Sequence, residues 1–328
     1  MNAPVMRVRL RADYGERCVL KDVQFDLCAG EALGMIGTSG AGKTTLVMAL
    51  LGLLPWRGGK ATGEVLIDGV NLLTMPAGEA RRMRGKQIAL IPQSPMTALN
   101  AAVSLRSHFE EAWRAHESSG KKALEPRLRQ LMNEVQLPAG DDSFLRRKPG
   151  QISVGQAQRV LIALALLHRP SILIADEPTS ALDPVTQVEI VRLLRQLNRN
   201  NGTALLYISH DLVSVLQLSS RLAVLHSGVI AECLQVAQIE QARHPATLSL
   251  LRSLPAPARV LLSHFDTDSH CNELVARPAL CESTFNTLAG QAQGAGMRPL
   301  PDCGTSLDAG ENGSNAGATK DSYDPTFV

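Results

Sequence analysis

Aromatic residues make up only 3% of this 328-residue sequence, with two Trp, three Tyr and six Phe. Any core must therefore come mainly from Leu, Ile, Val, Ala and Met, and the 45% apolar content is enough for one large domain or two ordinary ones. Long apolar runs are missing too. The longest, Val160 to Leu167, is closed by Arg159 on one side and His168-Arg169 on the other, well short of the ~20 residues that cross a bilayer. Met1 to Leu10 carries arginines within a strand-like alternation and has neither the continuous apolar stretch nor the small-residue cleavage site of a signal peptide. A cytosolic chain is expected. The six cysteines (18, 28, 233, 271, 281 and 303) show no C-x-x-C pair or other metal-ligand spacing, so reduced thiols are expected. Charge of one sign is also scarce, with 33 Lys and Arg against 31 Asp and Glu. The balance of +2 hides a net −5 from Ala258 onward and about +7 over residues 1–257. A mildly basic body suits a nucleotide binder, and its charge is too weak and too dispersed to indicate nucleic acid.

The same point divides the chain by texture. Leu254-Pro255-Ala256-Pro257 breaks the last helical pattern, leaving a carboxy-terminal extension, 258–328, after a body of residues 1–257. Beyond Leu288 the extension is rich in Gly, Asn, Ser, Thr and Asp with little apolar periodicity, so disorder is expected there. The apolar residues scattered between Arg259 and Leu288 suffice for one or two short elements, not for an independent core.

What the sequence does contain is Gly37-Thr38-Ser39-Gly40-Ala41-Gly42-Lys43-Thr44-Thr45, the G-x-x-x-x-G-K-[ST] spacing of a phosphate-cradling loop. An apolar run, Ala32 to Ile36, precedes it as a buried strand, and Thr45 to Leu51 follows as a helix. Glycines at 37, 40 and 42 let successive backbone N–H groups turn toward phosphate oxygens, and the helix N-terminus adds partial positive charge. Lys43 would reach the β- and γ-phosphates, and the Thr44 hydroxyl would ligate Mg²⁺.

A second constellation completes the site. Ser171 to Ala175 is an apolar strand ending in Asp176-Glu177, the pattern of a Walker B segment. If this strand lies beside the phosphate-loop strand, Asp176 reaches the Mg²⁺ shell through water or Thr44, and Glu177 faces an attacking water. Pro178 to Pro184 supplies a tight turn, with Asp183 set to start a helix carrying Val188, Ile190, Val191, Leu193 and Leu194. Another strand, Thr203 to Ile208, ends in Ser209-His210-Asp211. His210 is either a polar cap or, at the carboxyl end of a strand in an α/β sheet where ligands collect, a γ-phosphate contact.

Taken in order, the loop at 37–45, Gln93 in Ile91-Pro92-Gln93, Ile152-Ser153-Val154-Gly155-Gln156-Ala157-Gln158-Arg159, the acidic strand, Ser180-Ala181-Leu182-Asp183 and His210 resemble the ATP-binding subunit of ABC transporters over roughly residues 5–255. Gln93-Ser94-Pro95-Met96-Thr97-Ala98-Leu99-Asn100 and His244-Pro245-Ala246-Thr247 look like the dipeptide, oligopeptide and nickel importers of that family. The resemblance implies an α/β P-loop NTPase core with an N-terminal antiparallel β subdomain (about 5–30 and 60–72) and an inserted helical subdomain (about 94–167). Leu124, Leu128, Leu131, Met132 and Val135 recur at helical spacing inside that insertion.

The implied roles follow residue by residue. Gln93 senses Mg²⁺ and the transport partner, and with Glu177 and His210 makes up the catalytic set; Thr44, Gln93 and Asp176 hold the metal. ATP is bound by Gly37, Ser39, Gly40, Gly42, Lys43, Thr44 and Thr45, and across a dimer by Ser153, Gly155, Gln156 and Asp183 of a second ATP-binding subunit. Tyr14 either stacks on adenine or is a strand residue. Val154 departs from the usual L-S-G-G-Q, which puts dimer closure in question. Implied partners are transmembrane permease subunits, docked near residues 95–120, and indirectly a solute-binding protein, at the cytoplasmic face of the inner membrane. Three other readings remain: an exporter subunit, a soluble non-transport ABC-type ATPase, and a P-loop kinase, which would leave 152–156 and 178–183 without a role.

Overall fold

In a computed structural model of the chain, residues 3–254 are described, so the expected extension over 258–328, with Cys271, Cys281 and Cys303, lies outside the described residues. Ten strands form one sheet: β1 (Pro4–Tyr14), β2 (Arg17–Cys28), β3 (Ala32–Gly37), β4 (Lys60–Ile67), β5 (Val70–Asn71), β6 (Ile88–Ile91), β7 (Ile172–Asp176), β8 (Ala204–Ser209), β9 (Arg221–His226) and β10 (Val229–Gln235). Their spatial order is β5-β4-β1-β2-β10-β9-β3-β8-β7-β6.

The sheet has two characters, each set by its residue pattern. In β1, Met6, Val8, Leu10 and Ala12 are buried while Arg7, Arg9 and Arg11 face outward, the alternation of a strand with one wet face. It pairs antiparallel with β2 and β4, as expected for the amino-terminal subdomain. By contrast, β3 and β8 are buried at every position and β7 at all but its last, the continuous apolar runs of strands covered on both faces. These pair parallel, with β6 beyond β7 and β9 on the other side of β3.

Helices cover the sheet: α1 (Lys43–Leu50), α2 (Ala77–Met83), α3 (Pro95–Ala98), α4 (Leu105–His116), α5 (Lys121–Glu134), α6 (Asp142–Arg146), α7 (Val154–Ala165), α8 (Pro184–Asn201), α9 (Leu212–Leu218) and α10 (Pro245–Ser253). Successive strand residues point to opposite faces, which splits the core in two. Leu173, Ala175, Leu205 and Tyr207 join one cluster with α4 to α9, where Leu124, Leu128, Leu131, Met132 and Val135 line up as expected. Ile172, Ile174, Leu206 and Ile208 join the other with α1 and the antiparallel strands. The few aromatics are spent well, since Tyr207, Phe109 and Phe144 are among the largest fully buried side chains.

One expectation fails. The acidic strand β7 does not lie beside the phosphate-loop strand β3, because β8 pairs with both: Ile208 is opposite Met35 on one side and Asp176 on the other. At about 4.8 Å per strand spacing, β3 and β7 are roughly 10 Å apart. Strand order is decided by which apolar faces and helices can be covered together, which adjacency in sequence does not report.

Candidate functional site

Because β3, β6, β7 and β8 run parallel, their carboxyl ends open on one edge of the sheet, the place where α/β folds collect ligands. The loop after β3 begins at buried Gly37, exposes Thr38, Ser39 and Gly40, and passes into α1 at Lys43. Gly42 is the left-handed N-cap of that helix, at φ 106°, and a Cβ there would stand 2.6 Å from Leu20 Cδ2 of β2. A side chain at 42 is thus refused by backbone geometry and by packing at once. Thr44 and Thr45 occupy the first turn of α1, with Thr44 exposed.

The loop's lysine reaches across β8. Its Nζ donates to Gly37 O at 2.8 Å and lies 3.4 Å from Glu177 Oε1. The other oxygen of the same carboxylate, Oε2, accepts from Gln93 Nε2 at 3.2 Å and meets His210 Nδ1 at 3.1 Å. Lys43 comes from the loop after β3, Gln93 from just beyond β6, Glu177 from just beyond β7 and His210 from just beyond β8. Three of these residues therefore converge on the Glu177 carboxylate.

Glu177 is aimed by an uncommon backbone. Its φ is +48°, a left-handed conformation that costs a residue with a Cβ about 1–3 kcal/mol. Local bonds hold it: its N–H donates to Ile208 O at 2.8 Å, and its carbonyl accepts from the N–H and Oγ of Ser180 at 3.2 and 3.0 Å. The neighbouring Asp176 stays in strand conformation and is largely buried. Its carboxyl is pushed up to about 6, first by desolvation and then by the Glu177 charge, against the opposing pull of Lys43. Asp176 and Glu177 are two crowded acids, hard oxygen donors of the kind Mg²⁺ takes. Among the described residues no group of three or more His, Cys, Asp or Glu side chains is arranged to hold a metal ion.

The segment at 152–156 is not drawn into this cluster. Ser153 Oγ accepts from Gln156 N–H and Gln156 Oε1 accepts from Ser153 N–H, both at 3.1 Å, a reciprocal capping box that starts α7. Val154 is 38% exposed at the first position of that helix. Asp183, expected to open a helix, caps α8: Oδ1 accepts from Thr186 N–H at 3.1 Å and Oδ2 from Thr186 Oγ1 at 2.6 Å. These bonds hold its carboxyl below the usual carboxylate range. Tyr14 ends β1 half-buried against the antiparallel-sheet cluster, close enough to Gly59 that a Cβ there would lie 2.9 Å from its Cε1. Two features went unread in the sequence. The S-x-x-Q spacing at 153–156 is itself a capping signal, whereas the buried Arg159, which bonds Val135 O, Gln136 and Glu189, carries no local signature.

Comparison with known proteins bears on the whole arrangement. Residues 20–180 match the family described as ABC transporter. The dipeptide transport ATP-binding protein DppD of Haemophilus influenzae is 37% identical over 234 residues, 71% of this chain and 71% of its own length. The oligopeptide transport ATP-binding protein OppD of Escherichia coli is 36% identical over 257 residues, 78% of this chain and 75% of its own. Among solved structures, a dimeric ATP-binding cassette in a post-hydrolysis state, bound to ADP and Pi, is similar with a TM-score of 0.60 and 27% identity, covering 70% of this chain and 98% of that one.

Proposed function

This chain belongs to the ABC transporter family, as an ATP-binding and ATP-hydrolysing member with the α/β fold of its P-loop cassettes, and from that premise we propose that it drives solute import through separate membrane subunits. The observation that carries the mechanism is the convergence of Lys43, Gln93 and His210 on the Glu177 carboxylate. In this reading the glycine-rich loop and Lys43 bind the triphosphate, and His210 contacts its γ-phosphate. Glu177 orients a water and accepts its proton as the water attacks. Thr44, Asp176 and Gln93 would hold Mg²⁺ with the phosphate oxygens, and the ion supplies charge neutralisation for the transferring phosphoryl group. Tyr14 is proposed to stack on adenine.

The working unit is proposed to be a dimer of ATP-binding subunits. Ser153 and Gln156 bond to each other rather than to the phosphate loop of their own chain, which supports their presenting, with Gly155 and Asp183, a surface to nucleotide held by a second subunit. The ATP-binding domain is taken as residues 1–257. Among the described residues no helix is long and apolar enough to cross a membrane. The proposed partners are separate permease subunits, with this chain at the cytoplasmic face of the membrane and a solute-binding protein acting indirectly. Between a peptide and a nickel-type cargo, the relatives' names favour a peptide. Two measurements test the proposal. Mg²⁺-dependent ATP hydrolysis by the purified chain should rise more steeply than linearly with protein concentration, and the chain should co-purify with permease subunits from detergent-solubilised membranes. Hydrolysis strictly linear in protein, with no membrane partner recovered, would refute it.

A further inference from the structure

Two helix starts, 30 residues apart in sequence, are bound together in space. α7 begins behind Ser153 and α8 behind Asp183. A Cβ on Gly155 would stand 2.8 Å from Thr186 Cγ2, closer than real Cβ contacts come. Thr186 cannot swing aside at little cost: its χ1 is stiff because the side chain is β-branched, and its Oγ1 is tied to Asp183 at 2.6 Å. A turn further on, Arg159 Nη2 donates to Glu189 Oε2 at 2.8 Å, while Nη1 anchors to Val135 O and Gln136 Oε1 at 3.1 and 2.8 Å. Positions 155 and 159 share one face of α7, and 186 and 189 share one face of α8, so the helices are joined by two rungs.

The geometry points to Thr186 as a positioning residue that locks the Ser153–Gln156 segment to Asp183, with Gly155 a glycine because Thr186 occupies the space its side chain would need. This rests on the reading that both elements meet the nucleotide of a second subunit, and makes them approach it as one body. It also separates two reasons for a glycine at 155. If the nucleotide of the partner excludes a side chain there, no change at 186 can restore function; if Thr186 excludes it, a smaller residue at 186 can.

The test compares Gly155→Ala, Thr186→Ser and the double variant in the full chain. Thr186→Ser keeps the hydroxyl that Asp183 accepts from and removes Cγ2, leaving room for the alanine. Gly155→Ala is expected to speed amide exchange at both Gln156 and Thr186 by about tenfold, since both caps open together. It should also weaken ATP-induced dimerisation about fivefold or more, with ATP affinity of the monomer changed less than about twofold. Thr186→Ser alone gives up the methyl that meets Gly155 and should loosen the lock, with exchange at Gln156 faster and dimerisation weaker than in the parent by about two- to threefold, and the double variant should return to within about twofold of Thr186→Ser in exchange and in dimerisation. If Gly155→Ala is too unstable to purify, recovery of folded protein in the double variant is the same rescue. Wild-type behaviour of Gly155→Ala, or a double variant no better than it, overturns the proposal, as does recovered exchange without recovered dimerisation. If the parent chain neither dimerises with ATP nor hydrolyses it, the functional reading fails separately, and the exchange data still decide whether Thr186 is the lock.

Discussion

Asp176→Asn should make the protein more stable and useless as an ATPase. The Asp176 carboxyl, largely buried and beside Glu177, is pushed up to about 6 from an ordinary 3.8. A raised folded-state pKa means the folded protein holds this proton more tightly than the unfolded chain does. Below about pH 4 the group is protonated in both states and costs nothing; stability is then lost as pH rises through about 6, where the folded state must keep a buried carboxylate. A shift of about two units at about 1.4 kcal/mol each gives a cost of about 3 kcal/mol at pH 8, falling to roughly half of that at pH 5. Asparagine keeps the shape and removes the charge. In chelator-containing buffer without nucleotide, Asp176→Asn should therefore melt about 6–12 °C above the parent at pH 8, taking about 2–4 °C per kcal/mol for a domain of this size. Its advantage should shrink by about half at pH 5. Scanning calorimetry at the two pH values reads this directly, and steady-state phosphate release should show the accompanying loss of hydrolysis. A variant no more stable than the parent at pH 8, or one whose advantage does not shrink at pH 5, would refute the argument.

Glu177→Gln should cut turnover by about 100-fold or more, because the amide cannot accept the water's proton; ATP should then hold the variant as a dimer by light scattering, and unchanged phosphate release would remove Glu177 from the mechanism. Lys43→Ala should weaken binding of a non-hydrolysable triphosphate by about 10- to 100-fold, the worth of one charge-assisted hydrogen bond. Equal affinity by titration calorimetry would count against its phosphate role. Ser153→Ala loses the Oγ that accepts from Gln156, so it should cost about 1 kcal/mol in denaturant unfolding as well as weakening dimerisation. Val154→Gly, by contrast, should change the ATP dependence of dimerisation while leaving the monomer's ATP affinity unaltered; loss of that affinity in both variants as deep as in Lys43→Ala would make 152–156 a phosphate loop of its own chain.

Features that depend on a few consecutive residues were legible in the sequence by itself. The turn from β3 into α1, the alternation of β1, the apolar runs of β7 and β8, the capping of α8 by Asp183 and the helical stripe in α5 are each set by local geometry and side-chain period. Ser153 and Gln156 show how a local signal can be overlooked, since their S-x-x-Q spacing announces a helix start whatever else they contact. Only the tertiary structure decided that β8 stands between β3 and β7, and so that Lys43 must cross it to reach Glu177. It alone brings Gln93 and His210, 84 and 33 residues from Glu177, onto a single carboxylate, buries Asp176 enough to raise its pKa, and sets Gly155 against Thr186. Strand order, burial and helix contact are sums over segments far apart in the chain, and no window of neighbouring residues carries those sums.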